Sequence, residues 1–238
     1  MQRFIALEGA SNFRDLGGLR TASGGTTRWR RVFRSDTLQE LTDADVKIVR
    51  GELGVGTVID LRTTREITNE GRGPLEAEPV AYVHLPFIGE LEVRDEVPET
   101  VERDILADYV RMLDTAGHLV AEAVNVIGSS DAPVVFHCAA GKDRTGILAA
   151  IVESLAGVPR DAVVADYTRT NEVIAEVTAR LARLDTYLNV RTRPADSFRC
   201  QPTVMEGFLD VLHERYGGAD GWAREAGADA EAIRTVLG

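Results

Sequence analysis

The stretch VVFHCAAGKDRTGILAA, residues 134 to 150, constrains the fold more than any other part of the chain. On its N-terminal side, APVVFH has the short, β-branched character of an interior strand; after it, TGILAAIVESLAG reads as a helix that stops at Gly157, ahead of Pro159. A buried strand that runs through a short polar loop into an apolar helix is the unit of an α/β layer fold. Such a loop leaves the carboxyl end of its strand, where ligands bind in open α/β sheets.

The rest of the chain alternates in the same way. WRRVFRSD reads as a short strand, and LTDADVKIVRGELG as a helix with Thr42 as N-cap and Gly54 just past its end. GVGTVIDLR is a buried strand, and Thr63 and Glu66 stand in capping-box spacing at the start of a short helix. VAYVHLPF is the next strand, followed by an acidic stretch at 89–99 that reads as an exposed loop. Helical periodicity then appears twice, through Val101, Ile105, Tyr109 and Met112 and again through Leu119 to Ile127, which predicts two helices. Beyond residue 160 the chain reads as helical, at roughly 160–184, 203–216 and in two short pieces over 220–237, with the arginine-rich connection NVRTRPADSFRC between. The expected architecture is α/β, with a central, largely parallel sheet flanked by helices and a helical C-terminal half. No repeat or linker divides the 238 residues, so one domain over 1–238 is expected.

Composition narrows the function. A formal charge of −11 argues against a nucleic-acid partner. No run is long enough for a membrane span, and the first residues lack the pattern of a secretion signal. The expectation is a soluble, by default cytoplasmic protein without stable membrane association; export without a signal peptide stays open. Two cysteines, Cys138 and Cys200, make no disulfide framework and no zinc spacing, so neither a metal nor a cofactor is expected.

Cys138 followed six residues later by Arg144 is weak evidence alone, with about one chance in five of arising at random in so arginine-rich a chain. Its context carries the reading. Amides of a loop at a helix N-terminus can converge on one anion, and the same field favours Cys138 as a thiolate. Arg144 supplies a planar fork for two phosphate oxygens, Gly141 permits the tight turn, and Thr145 brings a hydroxyl to the sulfur. Of the 27 basic residues only Lys47 and Lys142 are lysines, which favours a phosphate or acidic-substrate contact for Lys142. The chemistry that needs this set is phosphate monoester hydrolysis through a cysteinyl-phosphate intermediate, with an acid for the leaving oxygen. Asp143 is the nearest acid, and it could instead orient Arg144. Asp60, at the end of the TVIDL strand, and Asp95, Asp104 and Asp108 are rivals.

HCAAGKDRTG resembles the signature of cysteine-dependent phosphatases, and its lysine and aspartate resemble the atypical bacterial tyrosine phosphatases related in pattern to lipid phosphatases. NFRDLGGLRT, RVFRSDTLQELTDAD, TVIDLRTTRE and GVPRDAVVADYTRTNE are similar to further segments of that family. The resemblance implies a protein tyrosine phosphatase-like fold, Cys138 as nucleophile, Arg144 as the phosphate-binding arginine, and Lys142 and Asp143 as further active-site groups. Ala139, Ala140, Gly141, Lys142, Arg144 and Thr145 would bind phosphate. The substrate would be a phosphorylated protein, phosphotyrosine first and phosphoserine or phosphothreonine next, or else a phosphoinositide lipid. A catalytically silent phospho-ligand module and another thiolate enzyme, a sulfurtransferase or arsenate reductase, are alternatives of other classes. The pattern departs in the middle, where a mycobacterial member carries a long helical lid and this chain a shorter acidic loop.

Other residues have blander readings. His137 is expected to hold the strand end by hydrogen bonding. Arg62 could line the pocket mouth or form a helix-start charge pair with Glu66. Arg14 and Asp15 would tie the N-terminal segment to the body by ion pairing. Arg191, Arg193 and Arg199 read as solvated, and Cys200 as an ordinary thiol.

Overall fold

The structure, a computed structural model, describes residues 2–89 and 105–238. Five strands, β1 (Arg14–Asp15), β2 (Val32–Ser35), β3 (Thr57–Asp60), β4 (Ala81–His84) and β5 (Val134–His137), form one sheet in the order β1-β2-β5-β3-β4. Only β1 is antiparallel to its neighbour. The late strand β5 therefore lies between two early ones, with His137 level with Ser35 on one side and Asp60 on the other. All residues of β2, β3 and β5 are buried, as expected of parallel strands covered on both faces.

The helices are α1 (Asp43–Val46), α2 (Thr64–Glu70), α3 (Ile105–Ser129), α4 (Asp143–Leu155), α5 (Arg160–Thr168), α6 (Ile174–Leu181), α7 (Leu188–Arg191), α8 (Pro202–Tyr216), α9 (Ala219–Ala226) and α10 (Ala230–Leu237). Strand pleating sends Val134 and Phe136 to one face, where they join α3, α4 and the C-terminal helices, and Val135 to the other, where it meets Phe13, Phe33, Val49 and Leu75. Helix α4 is buried on nearly every side. It runs through the core immediately after the central strand, so its first turn and the loop before it are held from both ends.

Two expectations need correction. The two helices expected over 101–127 are not found among the described residues: Val101 lies outside them, and from Ile105 onward there is one helix of 25 residues. Tyr109, Met112, Leu113, Ala116, Val120, Ala123, Val124 and Ile127 continue one apolar stripe across Gly117, and one long buried face outweighs the small cost of an interior glycine. The helix starting at Thr42 keeps its predicted N-cap, which the structure completes as a capping box with Asp45, but turns after Val46 into a wider π segment, Lys47–Glu52. Its start is pinned because Asp45 also accepts the amides of Glu8 and Gly9, and its end leads directly into β3; a π turn takes up an extra residue between two fixed ends.

Arg14 does tie the N-terminal segment to the body. It joins Arg3 and Arg34 around Asp166 of α5, with N–O distances of 3.1, 2.6 and 2.8 Å. Burial disfavours the Asp166 charge, yet the guanidiniums of Arg14, Arg34 and Arg3 hold its carboxyl well below the usual range. Asp15 makes no such tie: its carboxylate accepts the amides of Gly17 and Arg30, closing the turn between β1 and β2.

Candidate active site

The loop after β5 begins with Cys138, which is 2% exposed, and ends where Asp143 opens α4. Thr145 Oγ1 donates a 3.1 Å hydrogen bond to Cys138 Sγ from the first turn of that helix. Three loop carbonyls in succession face away from the sulfur. Ala139 O accepts from Thr37 N at 3.1 Å, Ala140 O from Asn12 Nδ2 at 3.1 Å, and Gly141 O from both Asn12 Nδ2 at 3.2 Å and Arg34 Nη2 at 2.8 Å. In a trans peptide the N–H points opposite to the C=O, so the amides of Ala140, Gly141 and Lys142 face inward. With the positive end of α4 beside them, they form a concave site for an anion.

Gly141 is required for this shape. Its φ is +65°, and a Cβ there would stand 2.6 Å from Asp36 N and Ser35 O, backbone atoms at the end of the neighbouring strand β2.

Arg144 projects from α4 into an end-on pair with Glu66, Nη1 to Oε2 at 2.5 Å and Nη2 to Oε1 at 2.9 Å. Glu66 is the N3 residue of the predicted capping box: its Oε2 also accepts from Thr63 N at 2.6 Å, and Tyr187 Oη donates to its Oε1 at 2.8 Å. Burial opposes ionisation of Glu66, but the charge and hydrogen bonds of Arg144 outweigh it and bring the carboxyl down to about 2. One carboxylate thus starts α2 and fixes a guanidinium 78 residues away. The sequence signal that predicted its capping role carried no sign of the second.

Asp143 accepts from Tyr109 Oη at 2.9 Å and lies 3.6 Å from Lys142 Nζ. Its side chain is about a third exposed, against a few per cent for Cys138 and Thr145, so it stands at the rim of the concavity. Lys142 is mostly buried and donates to Phe198 O at 3.1 Å, anchoring the connection between α7 and α8. Ala139 and Ala140 pack beneath Val177, Leu181, Tyr187 and Val190, so the outer wall of the site comes from α6 and the segment after it.

The remaining candidates separate. Asp60 and Arg62 do not line a pocket: both are fully buried and bonded to each other, Arg62 Nη2 to Asp60 Oδ2 at 2.7 Å, with Tyr82 Oη on the same carboxylate and Glu70 on the guanidinium. Alternation along β3 places Asp60 in this network beneath the sheet end, which removes it as a proton donor to a substrate. His137 bridges Asp60 and the loop, its Nε2 3.5 Å from Asp60 Oδ2 and its Nδ1 3.3 Å from Cys138 O. Burial lowers its pKa to about 4, despite Asp60, so it is neutral near pH 7. Asp108 pairs with Arg111 on the surface of α3; Asp95 and Asp104 lie outside the described residues. Arg191 pairs with Asp185 and Arg199 with Asp196, both exposed, while Arg193 stacks on Phe198. Cys200 is a buried free thiol whose backbone is held by Asn171. Glu66, Asn12, Arg34 and Tyr109 are the site-building residues that sequence reasoning missed.

The geometry provides a sulfur, a rigid guanidinium, inward amides and a rim carboxylate around one point. A family model described as the tyrosine phosphatase family matches residues 5–237. The triple specificity protein phosphatase PtpB of Mycobacterium tuberculosis is 29% identical, over 98% of this chain and 97% of its own length. A tyrosine-protein phosphatase of Nostoc commune is 30% identical, over 85% of this chain and 71% of its own length. With matches that run nearly end to end and a cysteine at the head of the anion-binding loop, the chain belongs to the tyrosine phosphatase family, as a cysteine-dependent phosphatase.

Proposed function

We propose that residues 1–238 act as one phosphatase domain that hydrolyses phosphotyrosine first, and phosphoserine or phosphothreonine next. The observation that carries this reading is the Thr145 hydroxyl on the buried Cys138 Sγ, at the floor of a ring of inward amides. Cys138 Sγ attacks phosphorus, forming the S–P bond as the ester P–O bond breaks, and Asp143 gives its proton to the departing oxygen. Water then attacks phosphorus and gives a proton to the Asp143 carboxylate, and the S–P bond breaks with the thiolate returning to the Thr145 hydroxyl. The loop amides hold the equatorial oxygens together with Arg144, whose Nη1/Nη2 end is occupied by Glu66 so that its Nε edge serves the phosphate. The reading needs neither metal nor cofactor.

Phosphotyrosine leads because a formal charge of −11 opposes binding to an anionic membrane surface, and among the described residues no helix is long and apolar enough to cross a membrane. Lys142, which would favour an inositol phospholipid, has one of its three donors on Phe198 O and stands beside Asp143. A panel of phosphotyrosine, phosphoserine and phosphothreonine peptides beside phosphoinositides tests the order; fastest turnover of the lipids would reverse it.

Two variants test the site. Asp143→Asn should slow phenyl phosphate about 10²-fold while p-nitrophenyl phosphate, whose leaving group needs no acid, is slowed far less. Equal slowing of both would remove Asp143 as the acid. Gly141→Ala forces a Cβ onto the backbone of Ser35 and Asp36, and the displaced amides should cost about 10²-fold in kcat/KM with every substrate. Near-normal turnover would show that the loop is not held as described.

A further inference from the structure

Tyr109 and Tyr167 are buried behind the site, on different helices, and the steps above use neither. Their hydroxyls are 2.8 Å apart, and Tyr109 Oη lies 2.9 Å from Asp143 Oδ1. A phenol has one proton to donate. A carboxylate is the stronger acceptor, so the Tyr109 proton goes to Asp143, the contact between the phenols is then made by the Tyr167 proton, and the Cys200 thiol, kept protonated by burial, is the donor in its own contact with Tyr167. The chain has a direction: Tyr167 to Tyr109 to Asp143 Oδ1.

The packing keeps it rigid. The Tyr109 ring meets Tyr167 and Phe208 edge-on, at centroid distances of 6.3 and 6.1 Å, which fixes its orientation from two sides. Glycine at position 146 of α4 leaves room for Tyr167; a Cβ there would stand 3.1 Å from the ring, which would have to give by a few tenths of an ångström. α3, α4 and α5 each contribute one member, so the chain depends on how three helices meet. Among the described residues, the groups facing Asp143 include Tyr109 from α3, Tyr167 from α5, Lys142 from the loop and the Cys200 thiol from the segment before α8.

We propose that the Tyr167–Tyr109 hydroxyl chain fixes which oxygen of Asp143 carries the proton that is delivered to the leaving group. Oδ1 receives the Tyr109 donor and faces Lys142 Nζ at 3.6 Å, so a proton on the carboxyl group sits on Oδ2. The leaving oxygen then meets a proton already placed, without rotation of the carboxyl group at each turnover. The two tyrosines are positioning residues, acting through Asp143, and the inference rests on Asp143 being the general acid.

The test compares wild type, Tyr109→Phe, Tyr167→Phe, Asp143→Asn and the Tyr109→Phe/Asp143→Asn double variant on phenyl phosphate and p-nitrophenyl phosphate. Tyr109→Phe should slow phenyl phosphate about tenfold more than p-nitrophenyl phosphate, the scale of one lost oriented hydrogen bond. Tyr167→Phe should act in the same direction and less. A donor to a carboxylate favours its charged form, so its loss should move the alkaline limb of kcat/KM upward by about half a pH unit. In the Asp143→Asn background the leaving-group effect of Tyr109→Phe should vanish. Each comparison is a ratio of two substrates on one preparation, so a partly unfolded variant leaves it unchanged. Equal slowing of both substrates by Tyr109→Phe with an unmoved limb, while Asp143→Asn keeps its leaving-group selectivity, would overturn the hydroxyl chain alone. Loss of selectivity in Asp143→Asn itself would overturn the acid assignment and the chain with it.

Discussion

Cys138→Ser should reduce phosphate release from p-nitrophenyl phosphate by at least about 10⁴-fold, because a hydroxyl in this loop has no adjacent base to activate it. His137 cannot serve. Its Nδ1 is turned to Cys138 O, its Nε2 faces Asp60, and its ring lies in the network under the sheet rather than against the sulfur. The serine variant should still bind phosphotyrosine peptide, since the amides and Arg144 are held by Asn12, Arg34 and Glu66, none of which contacts the sulfur in the described hydrogen-bond network. Calorimetric titration of a phosphotyrosine peptide and a phosphate-release assay on the same preparation check both halves. Retained turnover would remove Cys138 as the nucleophile, and lost binding with intact fold would show that the sulfur helps to shape the anion site.

Glu66→Gln should produce the second largest loss, in activity and in stability together. The neutral amide cannot balance Arg144, and breaking one side of a buried ion pair costs about 3–5 kcal/mol. The guanidinium also loses its fixed plane, so kcat/KM should fall about 10²-fold, mostly through weaker hold on the transferring phosphoryl group. The pH dependence gives an independent check. Because the folded-state pKa of Glu66 is depressed from 4.5 to about 2, its contribution to stability is fully present above pH 4.5 and is lost as pH falls towards 2. It amounts to about 3 kcal/mol. Melting temperatures of wild type and Glu66→Gln should therefore differ most near neutral pH and converge between pH 4.5 and 2. A constant difference across that window would mean that the variant acts through packing alone.

The route from sequence to site was clear wherever the determining contacts are local. The Thr63–Glu66 capping box, the stop at Gly157, the β-branched run before Cys138 and the tight turn at Gly141 can all be read from neighbours within a few residues, and each stands in the structure as read. Errors arose where one residue could serve two environments. Asp60 and Arg62 at a strand end read equally well as pocket residues, and only the pairing of β3 with β4, which brings Tyr82 onto Asp60, commits them to the interior. Lys142 stood out by its rarity, and what the sequence did not show is that its Nζ, beside Asp143, also donates to a backbone carbonyl 56 residues away.

The sequence alone determined the chemistry of the loop: a thiol, a hydroxyl seven positions on, an arginine and a carboxylate between a strand and a helix, with the glycine that lets the backbone curl. Tertiary structure decided which way that chemistry faces. Strand order β2-β5-β3 brings Asn12 and Arg34 against the loop on one side and Glu66 on the other, at separations of 128, 107 and 78 residues. Periodicity records that each strand is buried, not which strand is its neighbour. The outward carbonyls, the pinned guanidinium and the tyrosines behind Asp143 exist only once the sheet has chosen its order, because hydrogen-bond direction is set by what lies across the contact.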